Sequence, residues 1–281
     1  MTADAWTRVV RQQLGLGRLL PLGDRRDGAW IAERAAEAVL RGVAQHVRGV
    51  RLGALRIALA DPEDVHEPAV PPPPGALPPG PLRITADFAA VATEPLPETA
   101  SRLRAALATA AAERLGLVVT EVDLQVTALL DHMDDVDRVD DMDHSAADVD
   151  HVDDHDQMVN VDDGGESLII AAALGVPGVT RLTGALGGLG RAVHIEERQD
   201  EGALARLHAR VEIAVRADHR ALEVAQEVRA RVGEVLPGHP TVAVLVTRSA
   251  EPRSTDVYSP TPARSRSRRA WAARSAARWS S

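Results

Sequence analysis

The chain has no cysteine and no lysine, and only one Phe and one Tyr. Without cysteine it makes no disulfide and no Cys-ligated zinc or iron–sulfur site. All 32 basic residues are arginine. Four Trp are the only other aromatics, so the core must be built from Val, Leu, Ile and Ala. Such cores bury less area per residue than aromatic ones. No run approaches the roughly 20 apolar residues that span a bilayer. Leu168–Val179 is the longest near-apolar stretch, and Gly175, Pro177 and Gly178 interrupt it. Met1–Trp6 lacks the basic and apolar regions of a signal peptide. The expectation is a cytoplasmic protein, reaching the inner face of the membrane only through a partner.

Charge is present but segregated. Asp131–Glu166 carries fourteen Asp and one Glu against one Arg, a local net of −14. The whole chain is −9, so the remainder is +5.

The chain also repeats itself. Val47-Arg48-Gly49-Val50-Arg51-Leu52 recurs loosely as Val176-Pro177-Gly178-Val179-Thr180-Arg181-Leu182. A repeat decides the unit of structure before any motif is weighed. Ala5–Leu16 reads as a short helix, broken by Gly15, Gly17, Pro21 and Gly23. In the first copy, apolar steps of four (Ile31, Ala35, Val39, Val43) predict a helix over Trp30–Gln45. Strands follow at Arg51–Ala60 and Leu82–Val91, a helix at Glu98–Leu115 capped by Gly116, and a strand at Val118–Leu129. Pro62–Pro81 reads as an exposed, stiff polyproline-like loop. The second copy predicts a helix at Glu166–Leu174, strands at Thr180–Thr183, Arg191–Glu197 and Leu204–Arg216, a helix at Arg220–Leu236 and a strand at Thr241–Thr247.

The expected fold class is therefore α+β: two tandem small α-β-β-α-β units, each a sheet with helices packed on one face. The expected domains are an N-terminal helix and loop (1–28), a first unit (29–130) with the Pro-rich insertion 62–81, a disordered Asp/His-rich acidic linker (131–166), a second unit (167–248) and a disordered Arg/Ser-rich tail (249–281).

This plan resembles the alkaline shock protein family. The residues that carry the resemblance are Ile31–Leu40, Val47–Val50, Leu82–Phe88 and Val118–Val126 in the first copy. In the second they are Leu168–Leu174, Val176–Val179, Leu207–Val215 and Val242–Val246. Arg48 departs from the pattern where Pro177 keeps it. The resemblance implies a non-catalytic cytoplasmic protein of the envelope stress response. It implies no catalytic residue and no cofactor, and a protein partner that holds the chain near the membrane. Self-association is a further expectation.

Three motifs invite chemistry. His132, His144, His151 and His155 lie among aspartates, and imidazole with carboxylate suits Zn, Ni or Mn. Affinity needs a defined cage, however, and Asn160-Val161-Asp162-Asp163-Gly164 is out of register for a calcium loop. The competing reading is a solvated acidic linker. Titrating the four His, near their ordinary pKa of about 6.5, offsets only four of the fourteen net charges. The second motif is Gly184–Gly190, which lacks the Gly-Lys-Ser/Thr ending of a phosphate loop and reads as a hairpin turn. The third is the tail, where Arg264, Arg266, Arg268, Arg269, Trp271, Arg274, Arg278 and Trp279 could meet RNA phosphates or anionic lipid. The same arginines could equally pair with the acidic tract or simply solubilise the chain. His46, His194, His208, His219 and His239 have no Ser or Asp partner that sequence can place, although His194 and His208, both in predicted strands, could share a site.

If the acidic tract is a solvated linker, calorimetry with Zn, Ni, Mn and Ca will show binding no tighter than millimolar. Tighter binding that disappears when the four linker His become Ala would instead establish the metal site.

Overall fold

Val47-Arg48-Gly49-Val50 and Val176-Pro177-Gly178-Val179 fold the same way in the computed structural model of the chain. It describes residues 16–131, 163–186, 191–198, 206–238 and 240–250. At each turn the chain leaves a helix through one backbone bond, Val47 N to Ala44 O at 3.0 Å and Val176 N to Ala173 O at 3.2 Å. Each glycine then takes a positive φ, 74° and 94°. A Cβ at Gly178 would come within 2.7 Å of His219, so only glycine fits there. Each glycine carbonyl also accepts a strand amide, Val91 N at 3.0 Å and Arg216 N at 2.8 Å.

The elements are β1 (Leu19–Leu22), β2 (Ala29–Ala32), α1 (Glu33–Ala44), β3 (Val50–Leu59), β4 (Leu82–Val91), α2 (Leu96–Ala110), β5 (Val119–Leu130), α3 (Asp163–Leu174), β6 (Val179–Leu182), β7 (Val193–Arg198), β8 (Arg206–Arg216), α4 (Ala221–Val235) and β9 (Thr241–Ala250). One sheet has the order β3-β4-β5, and the other runs β1-β2-β9-β8-β6 with β7 also on β8. The class is α+β, as expected. In both halves a strand lies antiparallel to the next (β3 on β4; β6 and β7 on β8), and the strand after the helix pairs parallel (β5 on β4; β9 on β8). Parallel strands need a crossover of about a dozen residues or more, and α2 and α4 supply it.

The correspondence extends to irregularities. The parallel register slips after Phe88 in the first sheet and after Ile213 in the second. The extra residue is Thr127 in one and Thr247 in the other. Each hydroxyl donates to the carbonyl before the slip, Thr127 to Phe88 O and Thr247 to Ile213 O, both at 3.3 Å. A bulge adds one residue and bends the strand, and both halves place it at the same point.

Several expectations need correction. The helix expected over Trp30–Gln45 begins at Glu33, because Ala29–Ala32 is strand β2, buried throughout. Trp30 and Ile31 are neighbours on opposite faces of that strand, and both are out of water. Periodicity alone cannot separate a short strand covered on both faces from a helix start. Within the expected N-terminal helix and loop (1–28), Leu19–Leu22 is strand β1; its Pro21 is tolerated on an edge strand. Helix α2 starts at Leu96 and ends in a π turn, Ala111–Leu115. Helix α3 opens at Asp163, inside the span assigned to the acidic linker. An acidic residue suits a helix N-terminus. Strand β9 runs to Ala250, past the expected end of the second unit.

The Pro-rich segment is not a free loop. Ala69 N bonds Arg25 O, Leu77 N bonds Leu19 O and His66 N bonds Pro79 O, each at 2.8 Å. Val70 is buried over Gly28, and Trp30 Nε1 donates to Leu77 O at 3.4 Å. The segment covers the face of β1 and β2 that would otherwise leave Trp30 wet.

The two halves also do not close separately. Strand β2 belongs by sequence to the first half yet pairs parallel with β9, Ala29 to Val244, Trp30 to Leu245 and Ile31 to Val246. Helix α1 packs on β3 and on β9. Gly116, left-handed at φ 87°, receives Leu222 of α4 so closely that a Cβ would lie 2.4 Å away. Arg220 Nε donates to Ala112 O at 3.1 Å, and Gln226 Nε2 to Asp27 Oδ1 at 2.7 Å. One buried cluster runs through both sheets, and the described residues form one unit. The tail from Pro252 lies outside the described residues.

Trp30→Ala should cost about 3–5 kcal/mol, the usual penalty for truncating a buried Trp. Because β2 completes the second sheet, chemical denaturation of wild type and variant should each show one cooperative transition. Two separated transitions would show that the halves fold independently.

Candidate functional site

Among the described residues, three of the four buried polar side chains, His208, Glu212 and Thr247, lie on β8 and β9. Residues directly opposite in a ladder share a face. Glu196 is opposite His208, His194 opposite Arg210, and Thr241 opposite His208. His194 and His208 are thus diagonal neighbours on one face. His208 is buried, and its Nδ1 lies in hydrogen bond with Thr241 Oγ1 at 2.8 Å. Burial lowers its pKa, and Arg198 lowers it further. It stays neutral near pH 7.

Glu212, next along that face, is completely buried. Leu182 and Val193 pair with Ile213 and Val211, so residues 183–192 leave the sheet opposite this one residue. Glu212 closes the gap with its backbone, accepting from Thr183 N and donating to Ala192 O, both at 2.9 Å. Its carboxylate accepts from Ala185 N at 2.6 Å and Leu186 N at 3.0 Å. The Gly-rich stretch is therefore not a hairpin turn. Strands β6 and β7 lie end to end on β8, and the loop is an excursion from a split strand. Gly187–Gly190 lie outside the described residues. Two of the loop's amides already hold an internal carboxylate, which is what a phosphate would otherwise seek.

Arg210 approaches this carboxylate, with Nε 3.9 Å from Oε1. That Nε is buried without a hydrogen-bond partner among the described residues. Burial pushes the Glu212 carboxyl up, against the two amides and Arg210, which pull it down. Sequence reading passed over Glu212. The signal was present: a carboxylate between Val211 and Ile213, inside an apolar strand, is rarely buried unless it has partners.

At the start of α4, Asp218 receives two bonds from Arg216, 3.0 Å from Nε and 2.6 Å from the terminal nitrogen. His219 Nδ1 bonds the same carboxylate at 2.8 Å. Arg216 and then His219 hold the Asp218 carboxyl down at about 2. His219 thus has an Asp neighbour that sequence reading had not placed. His46 Nδ1 meets Gly42 O at 2.7 Å.

Among the described residues, large apolar side chains are exposed on α3, α4, β5 and β7, the last at Ile195, and at Val118 just before β5. Leu168 and Leu174 on α3 and Val235 on α4 face solvent. Between these helices is a recess of about 470 Å³ lined by Ala172, Ala230, Arg231, Val235, Glu227 and Glu234. Strand β5 exposes Val126 and Leu129.

The expected metal ligands His132, His144, His151 and His155 lie outside the described residues. So do His239 and the tail residues Arg264, Arg266, Arg268, Arg269, Trp271, Arg274, Arg278 and Trp279. Among the described residues no group of three or more His, Asp or Glu is placed to hold a metal ion, and no helix is long and apolar enough to cross a membrane. No family model, curated protein or solved structure matches the chain.

Glu212→Ala leaves two amides without acceptors and should cost about 1–3 kcal/mol. The pH dependence separates two groups. A carboxyl raised in the folded state favours folding at low pH, and that advantage is lost as pH rises from its unfolded value of about 4.3 through the folded one. Glu212→Gln should remove this fall. A histidine lowered in the folded state acts oppositely: stability is lost as pH drops below about 6.5. His208→Gln should flatten that arm. Denaturation midpoints from about pH 4 to pH 8 measure both.

Proposed function

We propose that this chain is a non-enzymatic protein that works through protein–protein contacts, as a scaffold of the envelope stress response held near the membrane by a partner. The observation that carries the reading is where apolar surface and ionisable groups sit. Exposed apolar side chains stand on regular elements, Leu168 and Leu174 on α3, Val235 on α4, Val126 and Leu129 on β5, Ile195 on β7. The most buried ionisable groups are engaged within the fold: Glu212 on its own loop, His208 on Thr241. Exposed apolar clusters on a folded surface mark contact sites more often than chance residues do. The resemblance to alkaline shock proteins supplies the envelope half of the reading. The metal and nucleic-acid alternatives rest on His132–His155 and Arg264–Trp279.

The test is a crosslinked pull-down with the tagged chain, alongside imaging before and after alkaline or cell-wall stress. Wild type should gather at the envelope and retain a partner. Leu168→Glu, Leu174→Glu and Val235→Glu together should cut retention about tenfold without changing the circular dichroism spectrum. A uniformly distributed protein, indifferent to stress and to the triple substitution, would remove the proposal.

A further inference from the structure

Strands β5 and β9 are counterparts, and their outer edges are treated differently. Val122 pairs with Ile84 as Val242 pairs with Ala209, and Val126 pairs with Phe88 as Val246 pairs with Ile213. On β9, Val244, Leu245 and Val246 take β2 as a further strand and are fully buried. The matching residues of β5 are Leu124, Gln125 and Val126. Among the described residues no strand lies beyond them. Val126 is 40% exposed and Leu129 58%.

The opposite edge of the same sheet is blocked. Arg18 donates to Ile57 O at 2.6 Å, Ile57 N donates to Glu33 at 3.4 Å, and Arg41 donates to Gly53 O at 2.8 Å. A bulge between Leu52 and Leu55 breaks it further. Such devices are how proteins keep an edge from pairing with another chain. On β5, Arg104 Nε meets Val122 O at 3.1 Å. Otherwise β5 is twelve residues long, has no proline, and carries only Val122, Leu124 and Val126 on the row paired with the buried Ile84, Ala86 and Phe88.

We propose that β5 pairs antiparallel with β5 of a second copy of this chain, joining two three-stranded sheets into one across a two-fold axis. Such an interface is closed and self-complementary. The register centred on Leu124 keeps side-chain rows matched. Leu124 meets the partner's Leu124, and Val122 meets the partner's Val126. Asp123 faces the partner's Gln125 and Glu121 faces the partner's Thr127, so no like charges stand directly opposite, which would be unfavourable. Charge also selects the direction. The tract of net −14 begins at Asp131, directly after β5. Parallel pairing would set two such tracts side by side. Antiparallel pairing separates their origins by about 46 Å at about 3.3 Å per residue, several Debye lengths of about 8 Å.

This deepens the contact reading by naming the partner of one surface, and the experiment keeps the two apart. Light scattering with size exclusion should give a dimer that dissociates on dilution. The chain has no cysteine, so Leu124→Cys introduces its sole thiol. Mild oxidation or a short bismaleimide should link that variant to its copy, while Ala54→Cys on the blocked edge stays single. Val126→Lys, at a site outside the packed core, should weaken self-association about tenfold with an unchanged circular dichroism spectrum. A monomer at every reachable concentration overturns the dimer. So does a dimer that links in the Ala54→Cys variant but not in the Leu124→Cys variant, or one indifferent to Val126→Lys. A monomer whose pull-down still depends on Leu168, Leu174 and Val235 overturns this interface alone. A Leu124→Cys chain that links as a dimer, with no stress-dependent partner, overturns the envelope reading alone.

Discussion

Trp30 and Ile31 are adjacent in sequence, lie on opposite faces of one strand, and are both removed from water. The rest of the structure depends on this. A strand buried on both faces needs a neighbour on its edge and cover above and below. The edge partner is β9, from the far half of the chain. One face is closed by the segment 62–81, through Val70 and the Trp30 bond to Leu77. Two halves of the chain, alike in plan, are thereby joined into one body.

The two halves carry the same device at the same positions. A left-handed glycine follows the first helix, a threonine bulge follows Phe88 and Ile213, and a crossover helix joins the parallel strands. These features are backbone solutions, indifferent to most side chains. Val126-Thr127 and Val246-Thr247 are almost all that remains visible of the shared bulge.

Legibility followed the same line. Helix and strand periods were readable wherever one face is buried and the other wet, as in α2, β4 and α4. The turn glycines were readable because a positive φ restricts residue choice. Strand β2 was not, because Ala-Trp-Ile-Ala placed before an amphipathic helix has no period of its own, and its partner β9 lies in the far half of the chain. Nor was the split of the second copy's first strand. Thr180–Thr183 and Arg191–Glu197 were recognised as strands, but nothing in them says that both lie on β8 rather than on each other. The polar cluster was legible only in part. His194 and His208 could be imagined together, whereas Glu212 and Asp218 acquire meaning only from amides and arginines placed by the fold.

The split strand is where the two halves differ. In the first sheet, Gly53 and Ala54 bulge opposite Asp87. The corresponding residue of β8 is Glu212, since Asp87 precedes Phe88 as Glu212 precedes Ile213. There, in place of a two-residue bulge, the chain leaves β8 between Leu182 and Val193. A short bulge leaves few backbone groups unpaired, and half-exposed Asp87 need not enter the core. A long excursion frees amides that must find acceptors. A carboxylate one methylene longer, fully buried, reaches Ala185 and Leu186 and holds the base of the loop to the sheet. The insertion and its buried acid therefore form one structural unit, because each satisfies the polar groups the other would leave stranded. That unit distinguishes the second half from the first within the folded body.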